Sequence, residues 1–303
     1  MRTRGVEQTG IQMKRFLLVS LLSLAGAAAF ASPAYGPGHI RRPPPANPLE
    51  PSGMALNFLL NAPAKDLGKP MNLWATYYHM PTIELSETKT SGAPLLGKNG
   101  KPISPNLSVR DWCDAAMQGS IQVQNADGVS TGYMFVDANG PEQLNCDAHF
   151  GDLSDSIKSA TRHARFVAFH HPRACDVRSI PLMAFRTIAV DADRIPMGTV
   201  LYVPSLRGQG FWMEGQLYEH DGYVVASDRG GAINGNHIDL FVSDAASAPF
   251  PEVVSSSPRD TFKAFVVPDS DPAAQALKAS QEVTCRDVPG PGRRRHAPQP
   301  KKI

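Results

Sequence analysis

Hydrophobic and polar positions alternate most strictly between His237 and Val242, where the order is His-Ile-Asp-Leu-Phe-Val. Successive side chains of an extended strand point to opposite faces. Ile238, Leu240 and Val242 therefore make an apolar face, while His237, Asp239 and Phe241 share the other. Further β-rich runs lie at residues 73–78, 186–191, 199–203 and 223–226, separated by Gly, Pro and Asn. Two apolar runs close on an acid: Arg186-Thr187-Ile188-Ala189-Val190 on Asp191, and Tyr223-Val224-Val225-Ala226-Ser227 on Asp228. A short helix is expected over 108–118, with Ser108 as N-cap and Asp111 at its third position, and a second over 152–164. The pattern predicts a mainly β body over residues 55–285, large enough for one sizeable core.

The ends read differently. Met13-Lys14-Arg15 precede an apolar run from Phe16 to Leu24, followed by Ala29-Phe30-Ala31-Ser32. This is the pattern of a secretory signal peptide over residues 1–31, too short and Ala-rich for a transmembrane helix. Export to the periplasm or beyond is expected. No cysteine adjoins the cleavage site, so any outer-membrane association would lack a lipid anchor. Residues 32–54 are proline-rich and read as a linker; residues 286–303, with Arg293-Arg294-Arg295 and Lys301-Lys302 among prolines, read as a disordered basic tail.

Charge follows these divisions. The chain carries a formal +2, which becomes −1 without residues 1–31, and the body without its tail is near −6. A nucleic-acid partner is not expected of such a body. Cys113, Cys146, Cys175 and Cys285 are widely spaced with no Cys-x-x-Cys pair, so no metal site is expected. In an exported chain the even number implies two disulfides, with three connectivities open. The short separation of Cys113 and Cys146 favours pairing them, which leaves Cys175 with Cys285.

Candidate chemistry gathers at residues 226–241, where a glycine turn separates Asp228 from Asp239. Alternation puts His237 beside Asp239, which leaves three readings open: it orients the acid, binds sugar hydroxyls, or simply packs. Other polar residues read as structural. His163, His170 and His171 lack ligand spacing, His220 and Asp221 sit in an expected hairpin turn (residues 219–222), and Arg186 is expected in a surface ion pair. Ser227 has no Gly-x-Ser-x-Gly context, and neither a Walker motif nor a dinucleotide fingerprint occurs, so no cofactor is expected.

The segment Ala184-Phe185-Arg186-Thr187-Ile188-Ala189-Val190-Asp191, followed by Ile195-Pro196-Met197-Gly198-Thr199, resembles the start of the 3D domain, named for three aspartates. Ser227-Asp228-Arg229-Gly230-Gly231-Ala232-Ile233 and Gly235-Asn236-His237-Ile238-Asp239-Leu240-Phe241 resemble its signature, so the likeness spans 183–245. The domain occurs in the membrane-bound lytic murein transglycosylase A family. The resemblance implies a six-stranded double-psi β-barrel, with acids along a groove for a glycan strand. Trp74-Ala75-Thr76-Tyr77-Tyr78 resembles the first barrel strand, which makes residues 90–180 a helix-containing insertion. Arg229 and Asn234 depart from the usual signature, which has a small or hydroxyl residue and a lysine there.

Carried over, the catalytic acid falls on Asp239, with Asp228 and Asp191 as supporting carboxylates. Gly230 and Gly231 would let the backbone approach a sugar. Trp74, Tyr77 and Tyr78 are candidates for stacking on sugar rings, although alternation turns some of them to the core. The implied activity is lytic cleavage of the bond between N-acetylmuramic acid and N-acetylglucosamine in peptidoglycan, leaving 1,6-anhydro ends, by a monomer. Two other readings stay open: a noncatalytic expansin-like cell-wall binding barrel, and a water-using glycoside hydrolase with Asp228 or Asp191 activating water.

Overall fold

A computed structural model describes residues 57–64, 67–85, 92–126, 128–150, 153–170, 174–176, 178–242, 248–281 and 285. The expected signal peptide, the linker and the basic tail lie outside the described residues. Six strands close a barrel. They are β1 (Met71–Tyr78), β8 (Thr187–Val190), β9 (Val200–Tyr202), β12 (Tyr223–Asp228), β13 (His237–Phe241) and β14 (Phe262–Val266). Around the barrel their order is β1-β13-β8-β12-β9-β14, with β1–β13 and β8–β12 parallel and the other pairs antiparallel.

Alternation decides what fills the barrel. Leu73, Ala75, Ile188, Val190, Leu201, Val224, Ala226, Ile238 and Leu240 turn into one buried cluster. Burial of this apolar surface is the main stabilising term, at about 25 cal/mol per Å². The opposite faces of the same strands pack elsewhere. Tyr78, Ala189 and Phe241 join Ala174, Leu182 and Ile233. Val200, Tyr223 and Val225 pack on the helix Pro272–Ala279, which Asp271 caps through the Ala273 N–H.

Between β1 and β8 the chain leaves the barrel. It forms a four-stranded sheet of β2 (Thr82–Glu84), β5 (Ser120–Gln124), β6 (Ser130–Asp137) and β7 (Arg165–Phe169), and a small pair of β3 (Pro94–Leu96) with β4 (Pro102–Asn106). Helix α1 (Val109–Gln118) starts as expected: Ser108 Oγ accepts the Asp111 N–H, and Gly119 ends it in the left-handed region at φ 76°. Helix α2 (Asp155–Arg162) follows, and α3 is the helix Pro272–Ala279. Trp112, Cys113, Ile121, Tyr133 and Phe166 give this part its own core, and a disulfide joins Cys113 to Cys146. A second disulfide joins Cys175 to Cys285. Its sulfurs pack with Met134 and Phe169 of the four-stranded sheet.

Two local expectations are corrected. Residues 219–222 do not form a hairpin turn: β11 (Gln216–Glu219) pairs with β10 (Gly210–Met213), and the turn of that hairpin contains Glu214 and Gly215. Arg186 is not in a surface pair. It is 1% exposed, pairs through both terminal nitrogens with buried Asp221, and lies 4.0 Å above the Phe58 ring. Asp221 also accepts the Leu60 N–H, and buried His220 bonds the Phe185 carbonyl through Nε2. A buried guanidinium needs a carboxylate and filled donors, and the core supplies both.

Candidate active site

Register places the candidate acid. In the parallel β1–β13 pair Trp74 faces His237, Thr76 faces Asp239 and Tyr78 faces Phe241. Asp239 is opposite Ala189 of β8, and Ala189 is opposite Asp228 of β12. Thr76, Asp239, Ala189 and Asp228 thus form one row across four strands, on the side facing away from the barrel interior. Alanine between the acids contributes only a methyl group, so nothing large separates the carboxyls. By strand spacing the two backbones are roughly 10 Å apart.

Asp228 reaches this row through an irregularity. Ala226 pairs with Ile188 and Asp228 with Ala189, so Ser227 is an extra, bulged residue. Strict alternation would turn Asp228 inward with Val224 and Ala226.

Each carboxyl is partly exposed yet closely surrounded by protein. Thr76 Oγ1 donates to Asp239 Oδ1 at 2.7 Å and lies 2.8 Å from His237 Nε2. The His237 ring stacks on Trp74, with centroids 3.7 Å apart and planes 4° from parallel. Loss of solvent pushes the Asp239 carboxyl up to about 7; the Asp228 charge adds to this and the Thr76 bond opposes it. Asp228 accepts the Tyr78 hydroxyl at 2.9 Å and the Arg229 N–H at 2.8 Å. Burial raises its pKa to about 6 even so, with help from the Asp176 charge. Burial also lowers the His237 pKa. The site therefore holds a carboxyl that titrates near neutral pH, beside a second that ionises more readily.

Residues 186–249 match the model of the family described as the 3D domain. Over these residues the chain is similar to the 3D domain. The match contains Asp191, Asp228 and Asp239, whereas Thr76 and Tyr78 reach the row from β1, outside it. Solved structures with a similar course include E. coli MltA with bound chitohexaose, at 16% identity, 64% of this chain, 71% of that chain and TM-score 0.44. A membrane-bound lytic murein transglycosylase from Agrobacterium tumefaciens matches at 15%, 66%, 76% and 0.43, in the same order. MltA from Neisseria gonorrhoeae gives 14%, 65%, 73% and 0.40. No curated protein sequence matches the chain significantly.

Within the matched residues the remaining candidates separate. Asp191 does not bond either acid. Its Oδ2 accepts the Gly235 N–H at 2.8 Å and its Oδ1 the Asp193 N–H at 3.1 Å, so it fastens the loop before β13. Gly235 sits at φ 65°, where glycine avoids a Cβ clash. Gly230 and Gly231 are exposed and have no positive φ. Outside them, buried Tyr78 acts on Asp228 and presents no open ring face. Tyr77 points the other way: it packs on the barrel core and donates to the Pro249 carbonyl at 2.8 Å. Alternation forbids neighbours in β1 from sharing a face.

Sequence reading missed three contributors. Thr76 lay within the quoted strand, but only the register reveals its partner. Asp176 and Arg178 carry no motif and come to Asp228 from a separate segment. Among the described residues no group of three or more His, Cys, Asp or Glu is placed to hold a metal ion, and no helix is long and apolar enough to cross a membrane.

Proposed function

We propose that this protein is an exported lytic transglycosylase that cleaves peptidoglycan between N-acetylmuramic acid and N-acetylglucosamine, on a barrel wound in the double-psi manner. The observation that carries the reading is Asp239: a partly exposed carboxyl whose pKa of about 7 leaves a large share of it protonated at neutral pH, with one oxygen held by Thr76. A general acid works best with its pKa near the operating pH. The 3D match over residues 186–249 and the disulfides, which suit an oxidising compartment, support it from other sides.

In the first step the Asp239 proton passes to the glycosidic oxygen as the bond from the muramic anomeric carbon breaks. That oxygen leaves as the 4-hydroxyl of N-acetylglucosamine. Positive charge on the anomeric carbon is stabilised by the nearby Asp228 carboxylate. Tyr78 and the Arg229 N–H hold that carboxylate in place. In the second step ionised Asp239 takes the proton of the muramic 6-hydroxyl while its oxygen bonds to the anomeric carbon. The product is a 1,6-anhydro ring, and Asp239 regains its proton. Asp191 serves through the Gly235 loop, His237 through Thr76, and the Gly230-Gly231 backbone lies beside the sugar.

Mass spectrometry of soluble products from peptidoglycan incubated with the purified protein and with Asp239→Asn tests this. Anhydro-muropeptides from the first and none from the second are expected. Reducing-end products would mean a hydrolase. Tight sedimentation with the polymer and no product would mean a binding barrel.

A further inference from the structure

The bulge that turns Asp228 outward has its own support. Doubling a residue on one strand interrupts the ladder, and the freed carbonyl needs another donor. The Ser227 carbonyl receives Arg178 Nη2 at 2.9 Å. Arg178 is in turn held by Asp176, whose Oδ2 accepts Nε at 2.8 Å. Asp176 is 1% exposed and accepts two further backbone donors through Oδ1, Arg178 N–H at 2.9 Å and Ile180 N–H at 2.7 Å. Cys175, its neighbour, is bonded to Cys285, and the Cys285 N–H donates to the Ser179 carbonyl at 2.7 Å. The Ser227 side chain is gripped separately by Gln281.

We infer that Asp176 and Arg178 are positioning residues for the reaction: they clamp the bulged Ser227 so that Asp228 faces Asp239, and they set the charge around it. This rests on the reading of Asp239 and Asp228 as the working pair. The groups facing Asp228 come from three places: Tyr78 on β1, Asp239 on β13, and Asp176 with Arg178 on the segment before β8. Asp176 and Arg178 act on Asp228 with opposite sign, the carboxylate raising its pKa and the guanidinium lowering it. Asp191, by contrast, spends both carboxyl oxygens on its own loop. The charges that act on Asp228 from the segment before β8 are therefore those of Asp176 and Arg178.

The opposite signs make the test. The Asp228 carboxyl is titrated by carbon-detected NMR in the labelled full-length protein, assigned with Asp228→Asn, and compared with Asp176→Asn, Asp176→Glu and Arg178→Gln. Peptidoglycan turnover against pH is measured on the same proteins. Asp176→Asn removes a negative charge and leaves Arg178 unneutralised, so the Asp228 midpoint should fall; Arg178→Gln should raise it. The acid limb of turnover should follow in each case, with kcat down several-fold, KM little changed, and Asp176→Glu closer to wild type. Midpoints that stay put, or that move the same way in both variants with only a lower Tm, would overturn the inference. Should Asp176→Asn fail to fold, Arg178→Gln alters the more exposed partner and decides alone. If the wild type cleaves no peptidoglycan, the functional reading fails while the titration still tests the clamp.

Discussion

Thr76 Oγ1 lies 2.7 Å from Asp239 Oδ1, and the two residues are direct register partners across the parallel β1–β13 pair. One carboxyl oxygen is thus occupied by a hydroxyl from the neighbouring strand. Thr76 also meets His237, which Trp74 holds flat, so a single residue joins the acid to the stacked pair.

Thr76→Val should remove a bond that favours the ionised form of Asp239. The alkaline limb of turnover then moves to higher pH. Loss of a hydrogen bond to a charged group, about 1.5–3 kcal/mol, corresponds to a fall in kcat of roughly 10- to 100-fold. A pH–rate profile with a thermal melt separates this from unfolding.

Asp228→Asn should move the same limb the other way. The Asp228 charge helps to raise the Asp239 pKa, so its removal lets Asp239 lose its proton at lower pH. The alkaline limb, expected near pH 7 in the wild type, shifts downward and maximal turnover drops. An unmoved limb would assign the titration to another group.

Asp239→Asn should stabilise the fold at pH 8 while abolishing turnover. The folded carboxyl, at about 7, holds its proton more tightly than the unfolded one at 3.8. Its contribution to stability is therefore full below about pH 4 and lost as pH rises through about 7. The gain at pH 8 is on the order of 1–3 kcal/mol once partial solvent exposure is allowed for. It should vanish at pH 3.5. Chemical denaturation at the two pH values checks both parts.

Gly231→Ala tests whether a glycan comes close to the backbone there. A Cβ there meets nothing within 4 Å and the backbone φ is ordinary, so folding stability should stay within about 0.5 kcal/mol. A raised KM with an unchanged melt would mean that the sugar, not the protein, needs the space. Gly235→Ala, at φ 65°, should instead cost about 1 kcal/mol or more of stability.

Arg186→Met should be among the most damaging substitutions outside the acid row. It leaves the Asp221 carboxylate buried without its partner, at a cost of about 3–5 kcal/mol. The double variant Arg186→Met with Asp221→Leu should recover part of that loss, because no uncompensated charge remains. Denaturant midpoints of the single and double variants measure the coupling.

Local order was legible in the chain because local order has a short period. Alternation separated Ile238 and Leu240 from His237 and Asp239, and the Ser108 cap of α1 follows from residues within a turn of one another. The short strands of the four-stranded sheet carry less signal. Thr82–Glu84 has three residues, and Ser120–Gln124 alternates imperfectly. What the chain could not announce depends on register and burial. Asp228 carries the inward parity of Val224 and Ala226, and only the bulge at Ser227 turns it to the side of Asp239. Thr76 lies 163 positions from Asp239, and Arg186 lies 35 from the Asp221 that makes its burial tolerable. Pairing across such separations is decided by which strands share an edge. Alternation along one strand says which side a residue takes; only closure of the barrel says whom it meets there.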